Sequence, residues 1–288
     1  MLTLKSIHNK LMAAFCCYVV LLAPCSAQAQ DKQLLILHTN DTHSCIMPLK
    51  ETLADTAVAG RGGYLRRVNL VKQERTKNPQ LLLFDSGDFS QGSAYYTLYK
   101  GDVEIDLMNQ MGYDAATIGN HEFDFGLENM ARLFRRAQFP VVCANYDFTG
   151  TPVEGVVKPY VIIRRNGVRI GVFGLSPALK GLVDDKNCLG VKFLDPVETA
   201  NSVIAELKRK KCDLIICLSH LGWLDGEISD QNLIARTRGI DLVLGGHSHT
   251  YFENLQYVKN ADGKEIGCDQ NGNSAIWVGR ITLDLKKK

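Results

Sequence analysis

The sequence predicts an α/β layered domain built on a mixed β-sheet, and three features carry that prediction. Short apolar runs of strand length recur along the chain, amphipathic stretches of helical period lie between them, and several runs end abruptly in Asp, His or Asn. Continuous apolar runs suit strands buried on both faces, as in a sheet covered by helices. Their alternation with amphipathic helices is the grammar of layered α/β domains.

The first 29 residues stand apart and read as a secretory signal peptide. Lys5 and Lys10 precede the apolar run LMAAFCCYVVLLA, and small residues follow with an A-x-A site at Ala27, Gln28 and Ala29, so cleavage is expected near Ala29. A bilayer span takes about 20 apolar residues; this run falls short, and no second run approaches that length. The mature chain is therefore expected to lack a transmembrane segment and to be exported, to a periplasm or a cell surface. Lipid anchoring at Cys25 is the alternative, though Pro24 stands where a small residue normally precedes a lipidated cysteine.

Residues 30–288 contain no Pro/Ser-rich linker and read as one domain. The strand-like runs are LLILHTNDTH, LLLFDSGDF, AATIGNHEFD, DLIICLSH and DLVLGGHSH. The helical stretches are GGYLRRVNLVKQERTK, GDVEIDLMNQMG, LENMARLFRRAQ and PVETANSVIAELKRKK. In YVIIRRNGVRIGVFGLS, Asn166-Gly167 between two apolar runs signals a hairpin. LQYVKNADGKEIGC reads as another hairpin and SAIWVGRITLDL as a last strand, which makes the sheet mixed.

Composition narrows the function. Apolar residues make up 45% of the 288, ample for one substantial core. Without the two lysines of the signal, 31 basic residues face 31 acidic ones, so attraction to a nucleic-acid polymer is not expected. Three of the nine cysteines lie in the signal, and the other six form no C-x-x-C pair, which argues against a zinc ribbon. Cys143, Cys212 and Cys217 sit in or beside apolar runs and read as small buried hydrophobes.

The five strand ends carry the chemistry. In open α/β architectures ligands gather outside the carboxyl ends of the strands, so Asp41, His43, Asp88, Asn120, His220, His247 and His249 are expected at a common rim. Asp41 and His43, like His247 and His249, are spaced i, i+2, which in extended backbone points both members the same way. Gly119, Gly245 and Gly246 allow close turns there. Each motif alone has a bland reading. A strand-end His is commonly a solvent-facing residue, and GNHEF can be a helix start with Asn120 or Asp124 as its N-cap. Together the seven offer two carboxylates, four imidazoles and one amide, a donor mix suited to zinc, manganese or similar divalent ions. An ion takes about four to six ligands, so seven with a carboxylate able to bridge suit two. Two ions about 3.5–4 Å apart can share a hydroxide and polarise a phosphoryl oxygen.

These motifs resemble those of the calcineurin-like metallophosphoesterases: D-x-H at 41–43, G-D at 87–88, G-N-H-E at 119–122, a lone His220 and G-G-H-x-H at 245–249. LHTNDTH, GDFSQGS, GNHEFDFG, GGHSH and QNG followed by WVGRITL are further similar to the N-terminal catalytic domain of the exported 5′-nucleotidase family. That resemblance implies two packed mixed β-sheets flanked by helices, a four-layer sandwich. It implies that Asp41, His43 and His249 hold one ion, that Asn120, His220 and His247 hold the other, and that Asp88 bridges. It also implies a catalytic pair, His121 and Asp124, with Asn120 and His121 touching substrate. A hydrogen bond from Asp124 would keep His121 protonated, ready to stabilise the phosphoryl oxygens or protonate a leaving group. Glu122 reads either as a residue orienting a ligating His or as an acid at a helix N-terminus.

With the sequence ending at ITLDLKKK, the family's C-terminal substrate-binding domain is expected to be absent. The expectation is a nucleotide phosphomonoesterase, 5′-nucleotidase-like, working alone or with a separate chain that supplies nucleotide specificity. The alternatives are a 2′,3′-cyclic-nucleotide phosphodiesterase, a UDP-sugar hydrolase, or a metal-binding subunit without catalysis.

Overall fold

The structure, a computed structural model, describes residues 32–224 and 226–285. The signal-peptide reading and Cys25 fall outside them. No helix among the described residues is long and apolar enough to cross a membrane.

Two mixed sheets stack face to face. The first is built from β1 (Lys32–Thr39), β2 (Leu82–Asp85), β3 (Ala115–Thr117) and β4 (Val141–Val142), all parallel, with β13 (Gly279–Leu285) antiparallel beside β1. A short two-stranded ribbon joins β5 (Tyr146–Asp147) and β8 (Lys192–Phe193). In the second sheet β7 (Val168–Leu175), β9 (Leu214–Ser219), β10 (Leu242–Leu244) and β12 (Glu265–Asp269) run parallel. Its edges, β6 (Tyr160–Arg165) and β11 (Gln256–Lys259), are antiparallel. Both hairpins form as expected: Asn166 and Gly167 take φ of 49° and 67° between paired Arg165 and Val168, the left-handed pair that a tight turn of this kind requires.

Helices cover the outer faces. α1 (Tyr64–Lys77), α3 (Asp102–Met111) and α4 (Gly126–Arg136) cover the first sheet through a core that includes Tyr64, Phe89, Met108, Met130 and Phe134. α5 (Pro196–Arg209) and α6 (Asp230–Arg236) cover the second through Val203, Ile204, Leu207, Leu233 and Ile234. Between the sheets lies a third core in which Leu34, Ile36, Leu82 and Phe84 meet Ile170, Val172, Ile216 and Leu218. The result is the four-layer α/β/β/α sandwich. The apolar runs were continuous because the central strands are covered on both faces: every residue of β2, β3, β9 and β10 is buried.

Two helices gave no periodic signal. α2 (Ala94–Tyr99) and α6 have six and seven residues, under two turns each, and are marked instead by Ser93 and Ser229, whose hydroxyls cap the following turn. The six described cysteines are free thiols; Cys143, Cys217 and Cys268 are buried, whereas Cys212 is only partly so.

Candidate metal centre

The parallel strands of each sheet end at one edge, and the loops leaving those ends interlock. Pairing of β1 with β2 continues beyond the strands through Ser86 N–H to Thr39 O (2.8 Å), Asp41 N–H to Gly87 O (2.9 Å) and His43 N–H to Asp88 O (2.9 Å). His121 N–H donates to Asp88 Oδ1 at 2.9 Å, and His247 N–H to Asp41 Oδ2 at 2.9 Å. These bonds draw the loops after β2 and β3 together, and join the loop after β10 to that after β1.

The side chains then converge. Asp41 Oδ1 lies 3.5 Å from His249 Nε2 and 3.9 Å from both His43 Nε2 and His220 Nε2. Potential ligand atoms fall within 4.8 Å of one another in three overlapping sets: Asp41, His43, His249; His43, Asp88, His121; and Asp88, His220, His247. Asn120 directly precedes His121, and its Oδ1 is buried with no hydrogen-bond partner. Six of the seven sequence-expected residues are thus brought to one place, and Asn120 adjoins them in the chain through His121.

The reason for the i, i+2 spacing differs from the expectation. Asp41, His43, Asp88, His247 and His249 are not extended; their φ values are 46°, 47°, 53°, 75° and 55°, in the left-handed region. The strands end at Thr39, Asp85 and Leu244, and tight left-handed turns, not strand alternation, aim the side chains inward. Such backbone costs about 1 kcal/mol or more per L-residue, and its concentration at functional sites is a general pattern. Close approach explains the glycines. A Cβ on Gly119 would stand 2.1 Å from Asp88 Oδ1, and one on Gly246 would stand 2.9 Å from Ser86 O.

Burial and crowding set the protonation of the group. Burial lifts Asp41 to about 8 against the pull of His220, and lowers His43 to about 4. Burial opposes charging His220, yet Asp88, Asp41 and the Ser86 carbonyl outweigh it and hold the ring at about 10. Asp88 goes the other way: burial would raise it, but His220, His121 and His43 drive it well below the carboxylate range.

The donor set suits cations. Among the buried side-chain atoms with no hydrogen-bond partner are His43 Nδ1, Asn120 Oδ1 and His220 Nε2. His220 Nε2 is 3.0 Å from Asp88 Oδ2 but off the direction of a hydrogen bond, while its Nδ1 donates to Ser86 O at 2.6 Å. His43 Nε2 and His249 Nε2 face each other at 2.8 Å. Imidazole nitrogens with carboxylate and amide oxygens, turned toward each other and with His220 fixed from behind by Ser86 O, match a divalent transition-metal ion.

His121 and Asp124 meet at the mouth. Nδ1 of His121 lies 3.1 Å from Asp124 Oδ2, and both side chains are about one-third exposed, at 30% and 34%. Burial alone would lower His121, but Asp124 and Asp88 together raise it. The helix-start reading does not account for these residues. Asn120 makes no capping hydrogen bond with its side chain, and Phe125, not Asp124, stands at the N-cap of α4.

Glu122 is an acid in the first turn of a short 3-10 helix (His121–Phe123), one of its two expected roles, but it orients no ligating His. Its buried carboxylate accepts from Gly119 N–H (2.6 Å), Asp88 N–H (3.0 Å) and Ser90 N–H (3.1 Å), tying the loop after β2 to the loop after β3. Several supporting residues gave no sequence signal of their own. Asp269 accepts from His38 Nδ1 and Asn271 Nδ2, each at 2.9 Å, and the other nitrogen of His38 meets Ser86 Oγ at 3.0 Å. Asn271 N–H donates to Asn40 Oδ1 at 2.9 Å, and Asn40 Nδ2 to Asp41 Oδ2 at 2.6 Å. This buried chain runs behind Asp41 and His220. The one available hint was polar residues closing otherwise apolar runs, as His38 does in β1, since a buried polar group needs a partner.

A family model described as calcineurin-like phosphoesterase matches residues 34–251. The chain belongs to the calcineurin-like phosphoesterase family. It is 33% identical to a 5′-nucleotidase of Bos taurus over 248 residues, which cover 84% of this chain and 42% of that one. Among solved structures, a 5′-nucleotidase precursor from Thermus thermophilus superposes with a TM-score of 0.77 at 33% identity, covering 87% of this chain and 51% of that chain. A calcineurin-like phosphoesterase, YfkN of Bacillus subtilis, does so with a TM-score of 0.74 at 31% identity, covering 90% and 86%. The chain therefore falls with the catalytic domain of the 5′-nucleotidases, within a family of hydrolases, and spans under half the length of the bovine relative.

Proposed function

We propose that this chain is an exported phosphohydrolase that cleaves nucleotide phosphomonoesters with the help of two divalent ions such as zinc or manganese. Asp41, His43 and His249 would hold one ion and Asn120, His220 and His247 the other, with Asp88 between them. Ions so held supply Lewis acidity toward phosphoryl oxygens and activate water as a nucleophile. The observation that carries the reading is the convergence of three carboxylate–imidazole sets, each within 4.8 Å, beside a His–Asp pair.

The chain's own residues do the rest. Asp124 accepts from His121 Nδ1, which leaves Nε2 to face the substrate. As water oxygen bonds to phosphorus and the bond from phosphorus to the leaving oxygen breaks, Nε2 gives its proton to that oxygen; the proton that water loses restores His121, and the products are inorganic phosphate and an alcohol. Asp124 and Asp88 favour the protonated ring that this step needs. Asn120, next to His121, would touch the phosphate through its amide.

The test is phosphate release from 5′-AMP and from an aryl phosphate with Mn²⁺ or Zn²⁺, compared with His121→Ala. Loss of one such transition-state contact lowers kcat by about 10²–10³-fold. Equal turnover in the two proteins removes His121 from the mechanism. The same panel extended to a 2′,3′-cyclic nucleotide and a UDP-sugar, with and without a separate nucleotide-binding domain, separates the substrate classes. N-terminal sequencing of exported protein checks cleavage near Ala29; a mature start elsewhere overturns that boundary.

A further inference from the structure

We infer that the cleft beside His121 seats the substrate's leaving group, and that Met47, Pro48 and Tyr95 make it select a flat, apolar-faced one, an aromatic ring carried by an aryl or nucleoside phosphate. This rests on the hydrolytic reading above and goes beyond it, because it assigns selectivity to this chain's own loops.

The cleft measures about 660 Å³ and has His43, His121 and His249 in its lining, so it opens from the candidate metal centre. That volume lies within the range of small-molecule sites, about 300–1,000 Å³, and far exceeds what one phosphate fills. Direction follows from the acid. Asp124 occupies Nδ1 of His121, so the leaving oxygen lies at Nε2, and the group it carries extends into the cleft that His121 lines. A second, smaller cleft of about 290 Å³ is lined by His247, Pro177, Leu221 and Ile228 and not by His121.

The lining mixes partly uncovered apolar residues with polar ones such as Lys50, Gln91 and Ser274. Ile46 is buried in the core beneath, whereas Met47 is 55% exposed and Tyr95 is 39% exposed, both in the cleft lining. A Tyr ring and a Met thioether favour contact with another ring, whereas a methyl group offers them little surface. The two wall segments are held in place before any ligand arrives. Ser44 Oγ meets Ser93 Oγ at 2.6 Å and donates to buried Glu104, and Ser93 caps the turn that starts α2. Gly92 packs so closely that a Cβ there would stand 2.5 Å from His43 O.

The experiment compares 1-naphthyl phosphate with methyl phosphate as substrates of the Mn²⁺-loaded full chain, in wild type, Tyr95→Ala, Met47→Ser and the control Leu98→Ala. Leu98 is 72% exposed on the same helix and does not line the cleft. Binding of the non-hydrolysable 1-naphthylmethylphosphonate is measured alongside by calorimetry, and thermal melts check folding. The expected result for Tyr95→Ala is a KM for naphthyl phosphate raised about 3–10-fold with kcat nearly unchanged, and no change for methyl phosphate. Met47→Ser moves the same way by less, and Leu98→Ala does not move. An active wild type whose naphthyl-to-methyl preference survives both substitutions overturns the inference and leaves the hydrolytic reading intact. Equal losses on both substrates also overturn it, since the wall then only supports the centre. If wild type hydrolyses neither ester but binds the phosphonate, and Tyr95→Ala weakens that binding, the cleft assignment stands and the catalytic reading falls. A wild type that neither hydrolyses nor binds overturns both.

Discussion

Replacing Gly119 by alanine isolates the packing on which the candidate centre depends. The added Cβ would stand 2.1 Å from Asp88 Oδ1, 2.5 Å from Asp88 N and 2.7 Å from Asp88 Cγ. A comfortable C···O separation is about 3.3 Å, so the carboxylate or the loop after β3 must give way by roughly 1 Å. Metal–ligand distances tolerate only about ±0.2 Å. Asp88 would therefore leave the position between the two sets of ligands that it shares with His43 and His220. Losing an orienting partner of a ligand already weakens metal binding about 10–100-fold, so displacing the shared carboxylate should weaken it by at least about 100-fold, or roughly 2.7 kcal/mol. Overpacking costs the fold about 1–3 kcal/mol, less than the roughly 5–15 kcal/mol by which domains are stable. The variant should thus remain folded and fail to bind. Calorimetric titration of chelator-stripped protein with Zn²⁺ or Mn²⁺, beside a thermal melt, reads both quantities. Gly150→Ala is the control. Gly150 has φ 76° with nothing within 4 Å, so it should lose about 1 kcal/mol of stability and no metal affinity. Wild-type affinity at both sites in folded Gly119→Ala would refute the placement of Asp88 as a shared ligand.

Other expectations follow from the same framework. Asp269→Ala removes the acceptor of His38 and Asn271; metal affinity should fall about 10–100-fold, and unchanged binding would show that the buried chain behind Asp41 and His220 is structural only. Phe84, fully buried between the sheets, should cost about 3–5 kcal/mol on truncation to Ala, read as a lowered denaturation midpoint with metal absent. Asp230 is fully buried and its folded pKa is raised to about 7, by burial first, against the hydrogen bond from Ser219 and the pull of His220. A raised carboxyl binds its proton more tightly in the folded state, so its stability is fully present below about pH 4 and is lost as pH rises through about 7, in all about 4 kcal/mol. Asp230→Asn in metal-free protein should therefore flatten the decline in stability between about pH 4 and 8; an unchanged slope would place that proton elsewhere.

The sequence by itself determined the layers and the cast of candidate ligands. Strands covered on both faces must be apolar throughout, so β2, β9 and β10 were legible as continuous runs, and polar residues that break such runs at their ends had to be facing something other than core. It left α2 and α6 hidden, because fewer than two turns show no period. It also misjudged how Asp41, His43, His247 and His249 are aimed: side-chain direction at a strand end depends on φ, and the left-handed turns that set it are held by distant loops, through bonds such as His247 N–H to Asp41 and the Glu122 carboxylate to Gly119, Asp88 and Ser90. Only the tertiary structure decided those contacts. Apart from the short-range bond to Gly119, they join residues far apart in the chain, some across the two sheets, and no local pattern encodes a partner that folding alone brings near.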